Sequence, residues 1–293
     1  MRVLGTGRAN GGISFLHALG CGNGCSAPID LHMTVSLIDG KTENLDDKHG
    51  ILEASLDWWR AKDLSLPEGD LGWQVHSDIP SGMGLKSSSA LAVAALNALS
   101  NATDRTLTHF SIAHAVVNIQ TQTGCSLTGG LDDAITASGL GMRLVDNNDL
   151  GYAAMLKIFN PLDLEIFIVL RGRRKSAIDK AAFEALQPRF EEACLKLLDG
   201  DLLAAFTQNG IAVARCLSDD EALRLYSEIE SGSTDRVAIT GSGPAIAVLS
   251  ETNSAAATAE RLDSLGLNFI RTRMLQVRED NFVIDPWEDE VWA

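Results

Sequence analysis

No apolar run in this 293-residue chain reaches the roughly 18 residues that a membrane-crossing helix needs. The opening residues, Met1 to Gly5, lack the charged, apolar and small-residue layout of a secretory signal. A soluble, cytoplasmic protein is expected, with no membrane partner. Positive charge is also short: 24 Lys and Arg stand against 39 Asp and Glu, for a net charge of −15. A nucleic-acid groove needs a basic stripe to neutralise phosphates, so no nucleic-acid partner is expected either. A small anionic substrate needs only a local pocket and is not excluded. Cysteine is sparse and odd in number, at five, which makes no disulfide framework in a chain this long. Cys21 and Cys25 lack the second Cys/His pair of a zinc site. Two tempting glycine motifs are incomplete. Gly40-Lys41-Thr42 has Val35 where a P-loop needs glycine, and Gly5-x-Gly7 has Asn10 where a dinucleotide fingerprint needs its third. Repeats and low-complexity stretches are absent.

The length suggests two domains or one large one, and 45% hydrophobic residues fill a sizeable core. From Ile29 to Leu37 apolar residues fall on odd positions, which predicts a strand with one buried face. A helix is expected within 46–63, with Trp58 and Trp59 near its buried side, then a loop marked by Pro67, Gly69 and Gly72 and a strand over 73–77. A helix follows over 107–122, a strand over 140–145 and a turn over 146–149. The second half predicts a strand at 164–170 and helices at 177–186, 189–198 and 201–216. Ser218 to Glu221 reads as a capping box for a further helix reaching about Ile229. Strands at 237–240 and 245–249 flank Gly241-Ser242-Gly243-Pro244; a helix at 254–264 and a strand near 267–277 close the core, and 279–293 reads as an acidic tail. The expected architecture is α+β with a boundary near 150.

The most informative stretch is PSGMGLKSSSA, Pro80 to Ala90, followed at once by an alanine-rich apolar run to Leu99. Gly82 and Gly84 adopt backbone conformations other residues resist and carry no side chain to block a ligand. Ser87, Ser88 and Ser89 place hydroxyls where a helix begins, and unpaired N–H groups with the positive dipole end suit a phosphate there. The expected ligand is the phosphate of a nucleotide. A second glycine-rich loop, Gly241 to Gly243, is positioned to close over phosphates. Asp132 and Asp133, in the glycine-rich segment TGGLDDA read as a loop over 128–134, are candidates for holding Mg²⁺ or steering a substrate hydroxyl. His76 and His114 read as core or surface histidines, and Trp58, Trp59 and Trp73 as packing residues.

PSGMGLKSSSA resembles the phosphate-binding motif of the GHMP kinases, the superfamily that includes galactokinase, homoserine kinase, mevalonate kinase and phosphomevalonate kinase. ITGSGPAIAVL, 239–249, resembles that superfamily's third motif, and NGCSAPIDLHMTVSL, 23–37, sits where its first belongs. The nearer likeness is to the archaeal-type shikimate kinases, through Lys86 and the third serine of the loop, GGLDDAITAS at 129–138, the Asp146-Asn147 pair and AAFTQNGIAVARCL at 204–217. The resemblance implies a two-domain GHMP kinase fold: an N-terminal ribosomal protein S5 domain 2-like unit over 1–150 and a C-terminal ferredoxin-like unit over 151–293. It also implies transfer of the ATP γ-phosphate to the 3-hydroxyl of shikimate, in chorismate and aromatic amino-acid biosynthesis. Pro80, Ser81, Gly82, Met83, Gly84, Leu85, Lys86, Ser87, Ser88, Ser89 and Ala90, with Gly241, Ser242 and Gly243, would then bind ATP. Ser88 would help ligate Mg²⁺, with Asp133 as a metal or substrate contact, and Asp132 would orient or deprotonate the acceptor hydroxyl. Arg173 and Arg174, in the densest basic cluster, are candidates for the substrate carboxylate. Several relatives place a Mg²⁺-binding glutamate on the helix before the aspartate, whereas residues 116–128 here contain no carboxylate. The alternatives are homoserine kinase or another small-alcohol kinase, and a non-catalytic nucleotide-binding relative. Oligomeric state is not specified by the sequence.

Overall fold

A computed structural model describes residues 2–42, 47–103, 105–149, 154–172 and 177–275. Arg173, Arg174 and the 279–293 tail lie outside the described residues. Within them the chain builds two antiparallel sheets with helices packed against them. The first sheet holds β1 (Arg2–Leu16), β2 (Asn23–Asp39), β3 (Leu71–Ser77), β4 (Met142–Asp146) and β5 (Met155–Phe159). Long β1 and β2 pair along their lengths; on its other edge β2 takes β4 near its start and β3 near its end. The alternation at 29–37 thus belongs to a longer strand. β1 and β5 had no counterpart in the periodicity reading, because the buried half of β1 is glycine-rich and β5 is short.

The glycines of β1 have a packing role. The helix α3 (Ser87–Ala102) lies directly on the strand backbone, and a Cβ at Gly5 or Gly7 would fall 2.3 Å from the Ala98 carbonyl oxygen or 2.1 Å from that of Ala94. The facing helix surface is correspondingly small: Ala90, Ala92, Ala94, Ala95 and Ala98 are all fully buried. Asn97 and Asn101 then donate to the carbonyls of Arg8 and Thr6, at 3.1 and 2.8 Å, and so hold helix to strand.

A short helix α1 (Ala18–Cys21) joins β1 to β2. Helices α2 (Ile51–Ala61), α4 (His109–Gln122) and α5 (Leu131–Ala137) complete the first unit. Trp58, Trp59 and Trp73 are core residues. The helix α5 corrects the reading of 128–134 as a loop. Gly129 and Gly130, at φ 75° and 66°, make a left-handed turn that launches the helix, and two carboxylates in a first turn complement the dipole.

The second sheet has the order β9-β6-β8-β7, with β6 (Glu165–Val169), β7 (Arg236–Ile239), β8 (Ile246–Ser250) and β9 (Phe269–Arg273). Its helices are α6 (Lys180–Ala185), α7 (Gln187–Asp199), α8 (Leu202–Cys216), α9 (Asp220–Glu230) and α10 (Ala255–Ser264). Fourth-first-third-second strand order in a β-α-β-β-α-β frame is the ferredoxin-like arrangement. Asp219, not Ser218, caps α9: Ser218 turns left-handed at φ 52°, and the Asp219 carboxylate accepts from Ala222 N at 3.0 Å. Since β5 pairs with β4, we propose that the units divide between Phe159 and Glu165, some ten residues beyond the expected 150. No helix among the described residues is long and apolar enough to cross a membrane.

Candidate active site

The two glycine-rich loops meet. Thr240 Oγ1 donates to the Gly84 carbonyl at 3.1 Å, Ala245 N donates to the Met83 carbonyl at 3.3 Å, and a Cβ at Gly84 would fall 2.1 Å from the Thr240 carbonyl oxygen. Gly84 has φ 80°, so the glycine serves both the turn and the close approach. Ser14 of β1 locks the junction, with its amide donating to Thr240 Oγ1 and its hydroxyl accepting from Gly241 N, both at 3.2 Å. Beside this junction opens a cleft of about 1010 Å³. Of the expected nucleotide residues, Ser81, Gly82, Gly84, Lys86, Ser87, Ser88, Ser89, Gly241 and Ser242 line it, with Asp132 and Asp133. Leu85 and Ala90 are instead buried in the core.

Helix α3 begins in this cleft with no cap from its own N-cap side chain and no acidic residue in its first turn. The amide of Gln120, from α4, meets Ser89 with its oxygen 2.7 Å from Ser89 Oγ and 3.1 Å from Ser89 N. The first-turn amides of Ser87 and Ser88 stay at the open end. This arrangement fits phosphate: donors and a positive dipole end converge in a cavity, and no carboxylate of the helix competes.

The N-cap of α3 is Lys86, at φ 66°, a left-handed conformation uncommon outside glycine. It turns the side chain inward, where Nζ lies 2.6 Å from Asp133 Oδ1 and the chain is only 7% exposed. Gly12 of β1 lies against it and against α5: a Cβ there would fall 2.7 Å from Thr136 Cγ2 and 3.2 Å from Lys86 Cγ. Burial pushes the Lys86 ammonium toward neutrality, but the charges of Asp133 and Asp132 outweigh this and hold it protonated.

Asp132 is 4% exposed. Its Oδ2 accepts from Ser26 Oγ at 3.1 Å, and the same hydroxyl lies 3.3 Å from Asp133 Oδ1. Gly24 gives the carboxyl its space: a Cβ there would lie 2.5 Å from Asp132 Cγ. Burial first, and then the neighbouring Asp133 charge, lift the Asp132 pKa to about 7, against the opposing pull of Lys86 and Ser26. A buried carboxyl poised near neutrality, next to a fixed cation and an uncapped helix, is equipped to take a proton from a hydroxyl at a phosphate. Asp133 is engaged by Lys86, so the lysine ammonium stands where a cation facing that oxygen would stand. Mg²⁺ fits the remaining donors, the Ser88 hydroxyl and one carboxylate, only with phosphate oxygens completing its shell. Among the described residues no group of three or more His, Cys, Asp or Glu side chains is arranged for a metal.

Two residues, buried Ser26 behind the aspartates and His17 in the cleft wall, escaped the sequence reading. Ser26 stands inside a quoted motif, yet its position between two carboxylates depends on β2 packing against α5. His17 accepts from Leu19 N through Nδ1 at 3.3 Å, which leaves the proton on Nε2 to donate to Ser242 Oγ at 2.9 Å. Conversely, Arg171 of the basic cluster is committed elsewhere: it makes a two-pronged bond to Asp219 at 2.7 and 2.8 Å and reaches Glu221 at 2.7 Å. His76 is an exposed residue 3.8 Å from Asp78.

The GHMP kinases N terminal domain model matches residues 53–141, which hold the glycine loop, α3 and the paired aspartates. The shikimate kinase of Methanocella arvoryzae is 30% identical over 265 residues, 84% of this chain and 84% of that one. The chain belongs to the archaeal-type shikimate kinase family of the GHMP kinases. A second relative in this family, the shikimate kinase of Thermococcus kodakarensis, is 28% identical over 74% of this chain and 77% of its own. The fold is that of the Methanococcus jannaschii mevalonate kinase crystal structure, with a TM-score of 0.74 over 92% of this chain and 98% of that one, at 15% identity.

Proposed function

We propose that this member of the family is an ATP-dependent kinase that phosphorylates the 3-hydroxyl of shikimate. The observation that carries the reading is the constellation at the mouth of α3: uncapped amides, the tethered Lys86 and buried Asp132 in one cleft. ATP supplies the phosphoryl group, whose transfer joins γ-phosphorus to the acceptor oxygen and releases ADP. Ser87 and Ser88 amides hold phosphate oxygens, while the loops around Gly82, Gly84, Gly241 and Ser242 enclose them. Lys86 turns from Asp133 toward the transferring group and offsets its charge, as positioning and electrostatics dominate phosphoryl transfer. Asp132 accepts the hydroxyl proton, and Ser26 fixes its orientation. Ser88 and Asp133 are the Mg²⁺ candidates. Arg173 and Arg174 are the candidate partners of the substrate carboxylate.

Coupled ADP release, measured across shikimate, homoserine and mevalonate with Mg²⁺ and ATP, tests the assignment. Turnover with shikimate at least tenfold above the other two is expected. Preference for another alcohol overturns the acceptor, and nucleotide binding without turnover on any of them overturns the activity.

A further inference from the structure

A second cavity, of about 520 Å³, lies between α7, α8 and the start of β7, and shares no lining residue with the nucleotide cleft. Its volume lies within the range of small-molecule sites. Its charge is opposite to that of the chain. Arg189, Lys196, Arg215 and Arg236 line it, with Glu192 and Glu230 as its carboxylates. Glu192 pairs with Arg189 at 3.5 Å, and Glu230 accepts from Val237 N at 3.1 Å. Among the described residues no ion pair within 4.0 Å reaches Lys196 or Arg215, whereas Arg236 donates to the carbonyls of Thr234 and Asp235 and its charge acts on Glu230. In a chain with 39 acidic and 24 basic residues, a cavity lined by four cations and two carboxylates runs against the composition.

Thr207 also lines this cavity. Ala204, Ile211 and Ala212 supply an apolar wall. The complementary ligand is a small dianion with a compact apolar body.

The elements that form this cavity also place the second glycine-rich loop. On α8, the Asn209 side chain accepts from the backbone N of His17 at 2.9 Å, and His17 donates to Ser242. Gly210 keys α8 to β7, where a Cβ would fall 2.5 Å from Ala238 Cβ, and Tyr226 bridges the Gly210 carbonyl to Ile239 N. Strand β7 then runs directly into Thr240 and Gly241. We propose that this cavity is a regulatory site for a small dianion, whose binding is felt at the nucleotide cleft through α8 and β7.

The binding arm of the test is independent of the kinase reading. The full chain is saturated with AMPPCP and Mg²⁺, so that its cleft is filled. Inorganic phosphate, phenyl phosphate and phthalate are then titrated in by calorimetry. Saturable single-site binding is expected, with phenyl phosphate or phthalate tighter than inorganic phosphate. Arg215→Ser combined with Lys196→Ser should weaken it at least tenfold. Both cations of the double variant stand at the surface, so an unchanged melting temperature is expected. Absence of saturable binding by all three probes, or binding that survives the double substitution, overturns the site. In the second arm, the tightest probe should shift the KM for ATP at least threefold in the wild type and not in the double variant. A shift that persists in the variant is competition at the cleft and overturns the regulatory role.

Discussion

Replacing Lys86 by Met isolates the charge at the centre of the site. Both side chains are unbranched at Cβ and similar in length, so the backbone at φ 66° and the packing over Gly12 are retained. What is lost is an ammonium 2.6 Å from a carboxylate. At an effective dielectric near 20, Coulomb's law gives about 6 kcal/mol for such a pair, most of it cancelled by the desolvation of both ions. Removing one partner of a fully buried pair costs roughly 3–5 kcal/mol. Water reaches Asp133, whose side chain is 28% exposed, so a loss nearer about 2 kcal/mol is expected here. Lys86 also opposes the rise of the Asp132 pKa, so its removal sends that pKa above about 7. The kcat/KM profile with pH, which reports the free enzyme, should therefore move its acid limb upward by about one unit. The kcat should fall about 10²-fold, as for the loss of one preorganised electrostatic group. Urea denaturation reads the first effect and coupled ADP release from pH 5 to 10 reads the other two. An unmoved acid limb together with kcat within threefold of wild type would refute the claim that Lys86 sets the electrostatics of transfer.

Asp132→Asn should lower kcat about 10²-fold and abolish the acid limb. It should also stabilise the protein at high pH. The folded pKa near 7 lies above the ordinary 3.8, so the unfolded chain ionises first. Wild-type stability then falls as pH rises between those values and stays lowered above them, while the amide variant does not follow. Denaturation at pH 5 and pH 8 checks the difference, and parallel behaviour of the two proteins sinks it. Ser88→Ala should reduce kcat about 10²-fold with the fold intact by circular dichroism, since the residue lines the cleft; unchanged turnover removes it from the site. Gly84→Ala introduces a Cβ 2.1 Å from the Thr240 carbonyl oxygen at φ 80°. It should destabilise the chain by at least about 2 kcal/mol and weaken binding of a fluorescent ATP analogue.

What the sequence made readable was whatever is local. Alternation at 29–37, the serine-bearing start of α3 and the capping acids near α9 are encoded within a few residues of where they act. The paired aspartates were readable as chemistry but not as helix, because two glycines before them look like loop until their left-handed turn is seen to start α5. What stayed hidden is set by partners far along the chain. Gly5 and Gly7 resemble the start of a nucleotide fingerprint, yet they are bare so that α3 can lie on their strand, some 90 residues away in sequence. Gly12 and Gly24 carry the same lesson into the site: one leaves room for Thr136 of α5 beside the Lys86 side chain, the other for the seat of the Asp132 carboxyl. A side chain at Gly24 would displace the carboxyl whose charge the reaction needs. The site is therefore made as much by four small residues on β1 and β2 as by its charged side chains. Glycine in a strand interior ordinarily weakens it. Four of them are tolerated here because each gives α3, Thr136 of α5 or Asp132 the place it occupies, and that trade is visible only once strand and helix are brought together.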